Sequence, residues 1–127
     1  MPDPNKANIM IVDDALFSRE MLKTILQKAG YTISSEAENG LDALKKYKEP
    51  FPDLITMDII MPQMDGITAV QQIRKQNPKA KIVMISSIGS EKKVMQALKA
   101  GATNFILKPF EPEQIIKIIE KVMAKQV

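Results

Sequence analysis

Hydrophobic residues fall into two kinds of segment that alternate along the chain. Ile9, Met10, Ile11 and Val12, then Leu54, Ile55, Thr56 and Met57, then Ile82, Val83, Met84 and Ile85 are short, nearly unbroken apolar runs rich in β-branched residues. Such runs predict strands covered on both faces. Tyr31 to Glu36 is more polar and alternates, which predicts an edge strand, and Thr103 to Leu107 supplies a fifth. Between the runs the period changes to that of a helix. From Ala15, Phe17, Met21 and Ile25 recur every four residues beside Leu22, Leu26 and Ala29, and predict an inward face that Gly30 ends. Asn39 and Gly40 open a second helix with Leu41, Leu44 and Tyr47 inward, and Pro50 and Pro52 prevent its continuation. Asp65 caps a third that buries Ile67, Val70 and Ile73 and closes at Asn77 and Pro78. Ser90 caps a fourth with Val94, Ala97 and Leu98 on its inner face, ended by Gly101. Pro112 suits the first turn of a last helix, whose broad apolar face holds Ile115, Ile116, Ile118, Ile119, Val122 and Met123.

Five strands alternating with five helices over short connections predict an α/β fold, a doubly wound parallel sheet with helices on both faces and right-handed crossovers. A mobile tail is expected over residues 1–7 and one domain over residues 8–127. At 127 residues that domain can bury a sizeable core without staples.

Composition narrows the chemistry. The chain has no cysteine and no histidine, which excludes disulfides, thiolate or imidazole metal sites, cysteine nucleophiles and histidine bases. Proton or phosphoryl chemistry must therefore rest on Asp, Glu, Lys, Ser and Thr. The charge of +3 comes from 18 basic and 15 acidic residues spread along the chain, so nucleic acid is not an expected partner. No apolar run approaches the roughly 18 to 20 residues that span a bilayer. Met1 to Asn8 carries two prolines and polar residues where a signal peptide would need an apolar core. A soluble cytoplasmic protein is expected.

The strand ends carry the candidate chemistry. Asp13 and Asp14 follow the first strand, Asp58 the third, Ser86 ends the fourth and Lys108 follows the fifth. Taken singly, Asp58 reads more readily as a turn-starting or helix-capping acid. In a doubly wound sheet, however, all these ends share the carboxyl edge, where such folds bind ligands. Three carboxylates meeting there repel one another and call for a cation. Oxygen-only donors favour a hard divalent ion such as Mg²⁺. Cation, ammonium and hydroxyl around one carboxylate suit phosphoryl acceptance, with Asp58 as nucleophile.

Ile11-Val12-Asp13-Asp14, the loop Met57-Asp58-Ile59-Ile60-Met61-Pro62 with Met64-Asp65-Gly66 after it, Ser86, and Lys108-Pro109-Phe110 together resemble the receiver domain of bacterial response regulators, most nearly its CheY-type single-domain members. The resemblance runs from about Asn8 to the end and implies a flavodoxin-like sheet of order 2-1-3-4-5. It also implies roles. Asp58 would be the phospho-acceptor, with Mg²⁺ held by Asp14, Asp13, Asp58 and the backbone carbonyl of Ile60. Lys108 would pair with the phosphoryl oxygens next to a cis bond to Pro109, and Ser86 would be the switch hydroxyl. Phe105 would be the switch ring, without the hydroxyl of the Tyr often found there; simple core packing is its other reading.

A sensor histidine kinase is the implied donor. With no output domain in the chain, docking to a downstream partner is the expected output, at a face formed by the fourth helix, fifth strand and fifth helix, with a flagellar motor or another two-component protein as the expected target. Lys92, Lys93, Lys99, Lys117, Lys121 and Lys125 on those helices suit an acidic partner or simply a solvated face. Ile60 and Ile88 flank the site and are expected to hinder water and prolong the acyl phosphate, unless they are ordinary loop residues. Three alternatives compete: a phosphorelay intermediate, a binding module without phosphorylation, and a Mg²⁺-dependent phosphohydrolase. Against the last, the position two after Asp58, where a general acid is usual, holds Ile60.

Overall fold

The structure, a computed structural model, describes residues 7–124. The strands are β1 (Asn8–Val12), β2 (Thr32–Ala37), β3 (Leu54–Met57), β4 (Ile82–Ser86) and β5 (Asn104–Leu107). They alternate with α1 (Leu16–Lys28), α2 (Gly40–Lys46), α3 (Gly66–Gln76), α4 (Glu91–Ala100) and α5 (Pro112–Ala124). All pairings are parallel and the sheet order is β2-β1-β3-β4-β5. The sheet, its order and the alternation of elements are as expected.

Strand alternation sorts the core into two layers. Met10, Val12, Ile55, Met57, Ile82 and Met84 face the side covered by Tyr47, Val70, Ile73 and Ala97, the α2, α3 and α4 side. Ile9, Ile11, Leu54, Val83, Ile85 and Ile106 face Leu22, Leu26, Ile115, Ile119 and Val122 of α1 and α5. Each such Ile or Leu, fully buried, stabilises the fold by roughly 1.5–3 kcal/mol. The continuous apolar runs therefore mark the inner strands, and the alternating β2 takes the edge.

Side-chain caps fix where the helices begin. Asn39 accepts from the Asp42 amide at 2.7 Å, Asp65 from Thr68 at 2.8 Å and Ser90 from Lys93 at 3.3 Å. Gly101, with φ +120°, ends α4 in a conformation open chiefly to glycine.

On three helices part of the predicted inward face is exposed, while Leu22, Leu26, Tyr47 and Ala97 are buried as expected. On α1 the buried residues are Arg19, Leu22 and Leu26, whereas Phe17 is 77% exposed and Met21 44%. Leu41 on α2 and Leu98 on α4 are also exposed. α2 spans only seven residues and buries Ala43, followed by Tyr47 at its end. Along α4 the small Ala97, not Leu98, meets the sheet. At the start of the chain, Ala7 is buried and its carbonyl accepts from the Thr32 amide at 2.9 Å, so it belongs to the folded body; the rest of the expected tail, like Lys125, lies outside the described residues.

Candidate functional site

The parallel registers bring the carboxyl ends of β1, β3, β4 and β5 together. Val12 pairs with Met57 and Met57 with Met84, so Asp13 and Asp58 leave adjacent strands at the same level. The Asp58 amide donates to the Val12 carbonyl at 3.0 Å, and the Lys108 amide to the Ser86 carbonyl at 2.9 Å. The ladders thus continue one step past the apolar runs and fix the backbone from which each polar side chain projects.

Asp13, Asp14 and Asp58 converge: each offers a carboxylate oxygen, and the three oxygens lie within 4.8 Å of one another. Asp13 and Asp58 are buried and Asp14 is exposed. The Lys108 ammonium bridges the buried pair, donating to Asp13 Oδ2 at 2.7 Å and Asp58 Oδ2 at 3.1 Å, with Ser18 Oγ at 3.3 Å as a third acceptor. The other oxygens are held by backbone: Asp13 Oδ1 accepts from the Ala15 amide at 2.9 Å, and Asp58 Oδ1 from Ile59 at 2.7 Å. Burial by itself pushes the Lys108 ammonium down, but its hydrogen bonds and charge contacts with Asp13 and Asp58 outweigh that, and its pKa is raised above the ordinary lysine value. Lys108 is therefore a permanent cation at neutral pH.

Three carboxylates against one ammonium leave the cluster negatively charged, and every donor is an oxygen. That set fits a hard divalent cation and can hold a metal ion.

Ser86 is fully buried, and its Oγ accepts from the Ile88 amide at 3.3 Å. Ile88 is half-buried, and the Ile60 side chain, in the loop after Asp58, is 54% exposed. Phe105 is half-buried against the α2, α3 and α4 layer of the core. The Lys108–Pro109 peptide is cis. The structure thus gathers Asp13, Asp14, Asp58 and Lys108 into one cluster, sets Ser86 on the neighbouring strand end, and leaves Phe105 against the α2, α3 and α4 layer.

Some residues that shape the site have no role assigned from the sequence, although Gly66 is part of the loop motif quoted above. Gly66 opens α3 against the backbone of the acid's own loop: a Cβ there would lie 1.9 Å from the Asp58 carbonyl oxygen. Ser18 adds an acceptor for Lys108. Arg19, buried on α1, donates from Nη1 to the Asp13 carbonyl at 2.7 Å. The spacing of Arg19, Leu22 and Leu26, at i, i+3 and i+7, was the available signal, but only if a cation is admitted to an inward face.

Comparison with known proteins bears on this arrangement. The profile of the response regulator receiver domain matches residues 9–120. Chemotaxis protein CheY of Thermotoga maritima is 51% identical over 114 residues, 90% of this chain and 95% of the relative. The Bacillus subtilis protein of the same name is 50% identical over 115 residues, 91% of this chain and 96% of the relative. Among solved structures, a chain of the CheX–CheY–BeF3–Mg²⁺ complex from Borrelia burgdorferi superposes with a TM-score of 0.90 at 37% identity, covering 94% of this chain and 90% of that one. With its sheet order, acidic edge and bridging lysine, the chain belongs to the response regulator receiver family.

Proposed function

We propose that this receiver is a phosphorylation switch in which Asp58 takes a phosphoryl group from the phosphohistidine of a sensor kinase. The observation that carries the reading is the bridged cluster, in which one ammonium spans Asp13 and Asp58 while a third acid, Asp14, lies within 4.8 Å. Asp58 Oδ1 is tied to the Ile59 amide, so Oδ2, on the Lys108 side, is the oxygen free to exchange its partner and attack phosphorus. The P–N bond to the kinase imidazole breaks as the Oδ2–P bond forms, and the released imidazole takes a proton. Lys108, already charged and within reach of Oδ2, transfers its hydrogen bonds to the phosphoryl oxygens. Asp13, Asp14, Asp58 and the Ile60 carbonyl would hold Mg²⁺, which when bound neutralises charge on the carboxylates and the phosphoryl group.

Ser86 Oγ is spent on a long contact from the Ile88 amide, so little holds it from turning toward a phosphoryl oxygen. Phe105, half-buried on β5 against the α2, α3 and α4 layer, would turn inward once the Ser86 hydroxyl moves, and that rotation would alter the α4–β5–α5 face. The likeness to CheY proteins supports action in the cytoplasm on a chemotaxis partner docking there, with a flagellar motor component as the specific expectation. Among the described residues no helix is long and apolar enough to cross a membrane.

The test is incubation with acetyl phosphate and MgCl₂ followed by intact mass. The parent gains one phosphoryl group and Asp58→Asn gains none. Equal labelling of both proteins would place the acceptor elsewhere and end the proposal.

A further inference from the structure

We propose that Arg19 is a positioning residue that locks the peptide joining Asp13 to Asp14, and so sets how tightly the acidic cluster binds its cation. The inference rests on the reading of that cluster as a Mg²⁺ site and names a residue behind it that touches neither metal nor phosphate.

Asp13 is restrained at four atoms, the first being its amide, which donates to the Ala37 carbonyl at 3.1 Å. Its two carboxylate oxygens accept from the Ala15 amide and from Lys108, which fixes the side chain. Its carbonyl accepts from Arg19 Nη1 at 2.7 Å. That carbonyl belongs to the planar peptide shared with Asp14, so holding it fixes the direction in which Asp14 leaves the turn. The Asp14 carboxylate is exposed and, among the described residues, makes no hydrogen bond or ion pair. Its place within 4.8 Å of the other acids depends on the backbone alone.

Arg19 is itself aimed from the edge of the sheet. Its side chain is only 10% exposed, and a guanidinium so withdrawn from water needs partners in fixed directions. Nε lies 3.4 Å from Glu36 Oε1 on β2, and Nη2 lies 3.9 Å from Glu38 Oε1 just beyond it. Glu36 is held in turn by Lys23, whose Nζ is 2.8 Å from Oε2. A chain of contacts therefore runs from the edge strand through Glu36 and Arg19 to the Asp13–Asp14 peptide. A lysine could reach the carbonyl or the glutamate, but lacks the planar fork that serves both at once.

The experiment uses the full chain, labelled with ¹³C and ¹⁵N and titrated with MgCl₂, following the amides of Asp14 and Asp58 by NMR. Outer groups that orient metal ligands typically account for about 10–100-fold in affinity. Arg19→Gln is expected to weaken Mg²⁺ binding at least tenfold on that scale, and to move the metal-free Asp13 carbonyl carbon upfield as its hydrogen bond is lost. Arg19→Lys, which keeps one cationic donor if the glutamine variant folds poorly, is expected to recover part of both signals. Leu26→Ala, a core truncation on the same helix, controls for stability: it lowers the unfolding temperature and leaves Mg²⁺ affinity unchanged. Arg19 variants that lower the unfolding temperature yet bind Mg²⁺ as the parent does, with the Asp13 carbon unmoved, would overturn the positioning role. A parent that shows no Mg²⁺-dependent shift at Asp14 or Asp58 would instead overturn the metal-site reading, and this inference with it.

Discussion

Asp14→Asn is predicted to make the metal-free protein more stable and the Mg²⁺-loaded one relatively less so. The three carboxylate oxygens lie within 4.8 Å of one another, so each pair repels by at least ~0.9 kcal/mol in water and ~3.5 kcal/mol at an effective dielectric of 20. Asp14 enters two such pairs, and the Lys108 ammonium offsets about one. Screening at 0.1 M salt, where the Debye length is about 10 Å, retains roughly 0.6 of the remainder. The net gain on neutralising Asp14 is then between ~0.5 and ~2 kcal/mol, because the residue is exposed and sits nearer the aqueous limit. For a domain of this size that corresponds to a rise of ~2–8 °C in unfolding temperature. Mg²⁺ works against that gain: at 100 times its dissociation constant it stabilises the parent by ~2.7 kcal/mol, whereas a tenfold weaker site gains only ~1.4 kcal/mol, a difference of ~1.3 kcal/mol in the parent's favour. Thermal unfolding followed by circular dichroism, with and without MgCl₂ and at low and high NaCl, reads all of this. The account expects a metal-free gain that shrinks in 1 M salt and a smaller Mg²⁺ response. A variant less stable than the parent without metal, or a gain indifferent to salt, would refute the electrostatic reasoning.

Three further outcomes are expected. Gly66→Ala would drive a Cβ to 1.9 Å from the Asp58 carbonyl oxygen; a backbone shift must relieve it, at a cost of about 3 kcal/mol in denaturant unfolding and with loss of Asp58 labelling. The two tyrosines titrate high: burial chiefly, helped by Glu120, raises Tyr31, while burial raises Tyr47 against a smaller opposing effect of the Asn77 hydrogen bond and Arg74. Neutral phenols are thus favoured in the folded state, so their contribution to stability is fully present below the unfolded value of about 10 and is lost as pH rises through the higher folded values. Absorbance near 295 nm should show phenolate forming above that range and together with unfolding, and free titration of both rings at pH 10 in a folded chain would contradict it. Replacing Ile60 or Ile88 with Asn is predicted to shorten the phosphorylated lifetime by about threefold or more, less than the tenfold that 1.4 kcal/mol of barrier represents; an unchanged half-life would retire the idea that these side chains hinder water.

The sheet was legible because its inner strands are unbroken apolar runs, and the edge because β2 alternates. The polar residues that end those runs were legible for the same reason: once β1, β3 and β5 are parallel, Asp13, Asp58 and Lys108 meet at one edge. Strand order was not, and came from resemblance to a family, since alternating elements alone do not say where the winding reverses. The exposed part of the α1 face was missed because Phe17, Met21 and Ile25 make a stronger apolar period than the stripe that packs, which begins with Arg19. A charged side chain reads as solvent-facing until its partners are known, and those partners, Glu36 and the Asp13 carbonyl, are distant or featureless in sequence. The approach of Gly66 to Asp58 is likewise a property of packed backbones.

Locating the phosphoryl group tests the central claim most directly. After acetyl phosphate treatment with Mg²⁺, reduction by borohydride converts an aspartyl phosphate to homoserine, which tandem mass spectrometry assigns to one residue. The account predicts homoserine at position 58, dependent on Mg²⁺ and much reduced in Lys108→Met. Reduction at Asp13 or Asp14, or none in a parent protein that binds Mg²⁺, would contradict it.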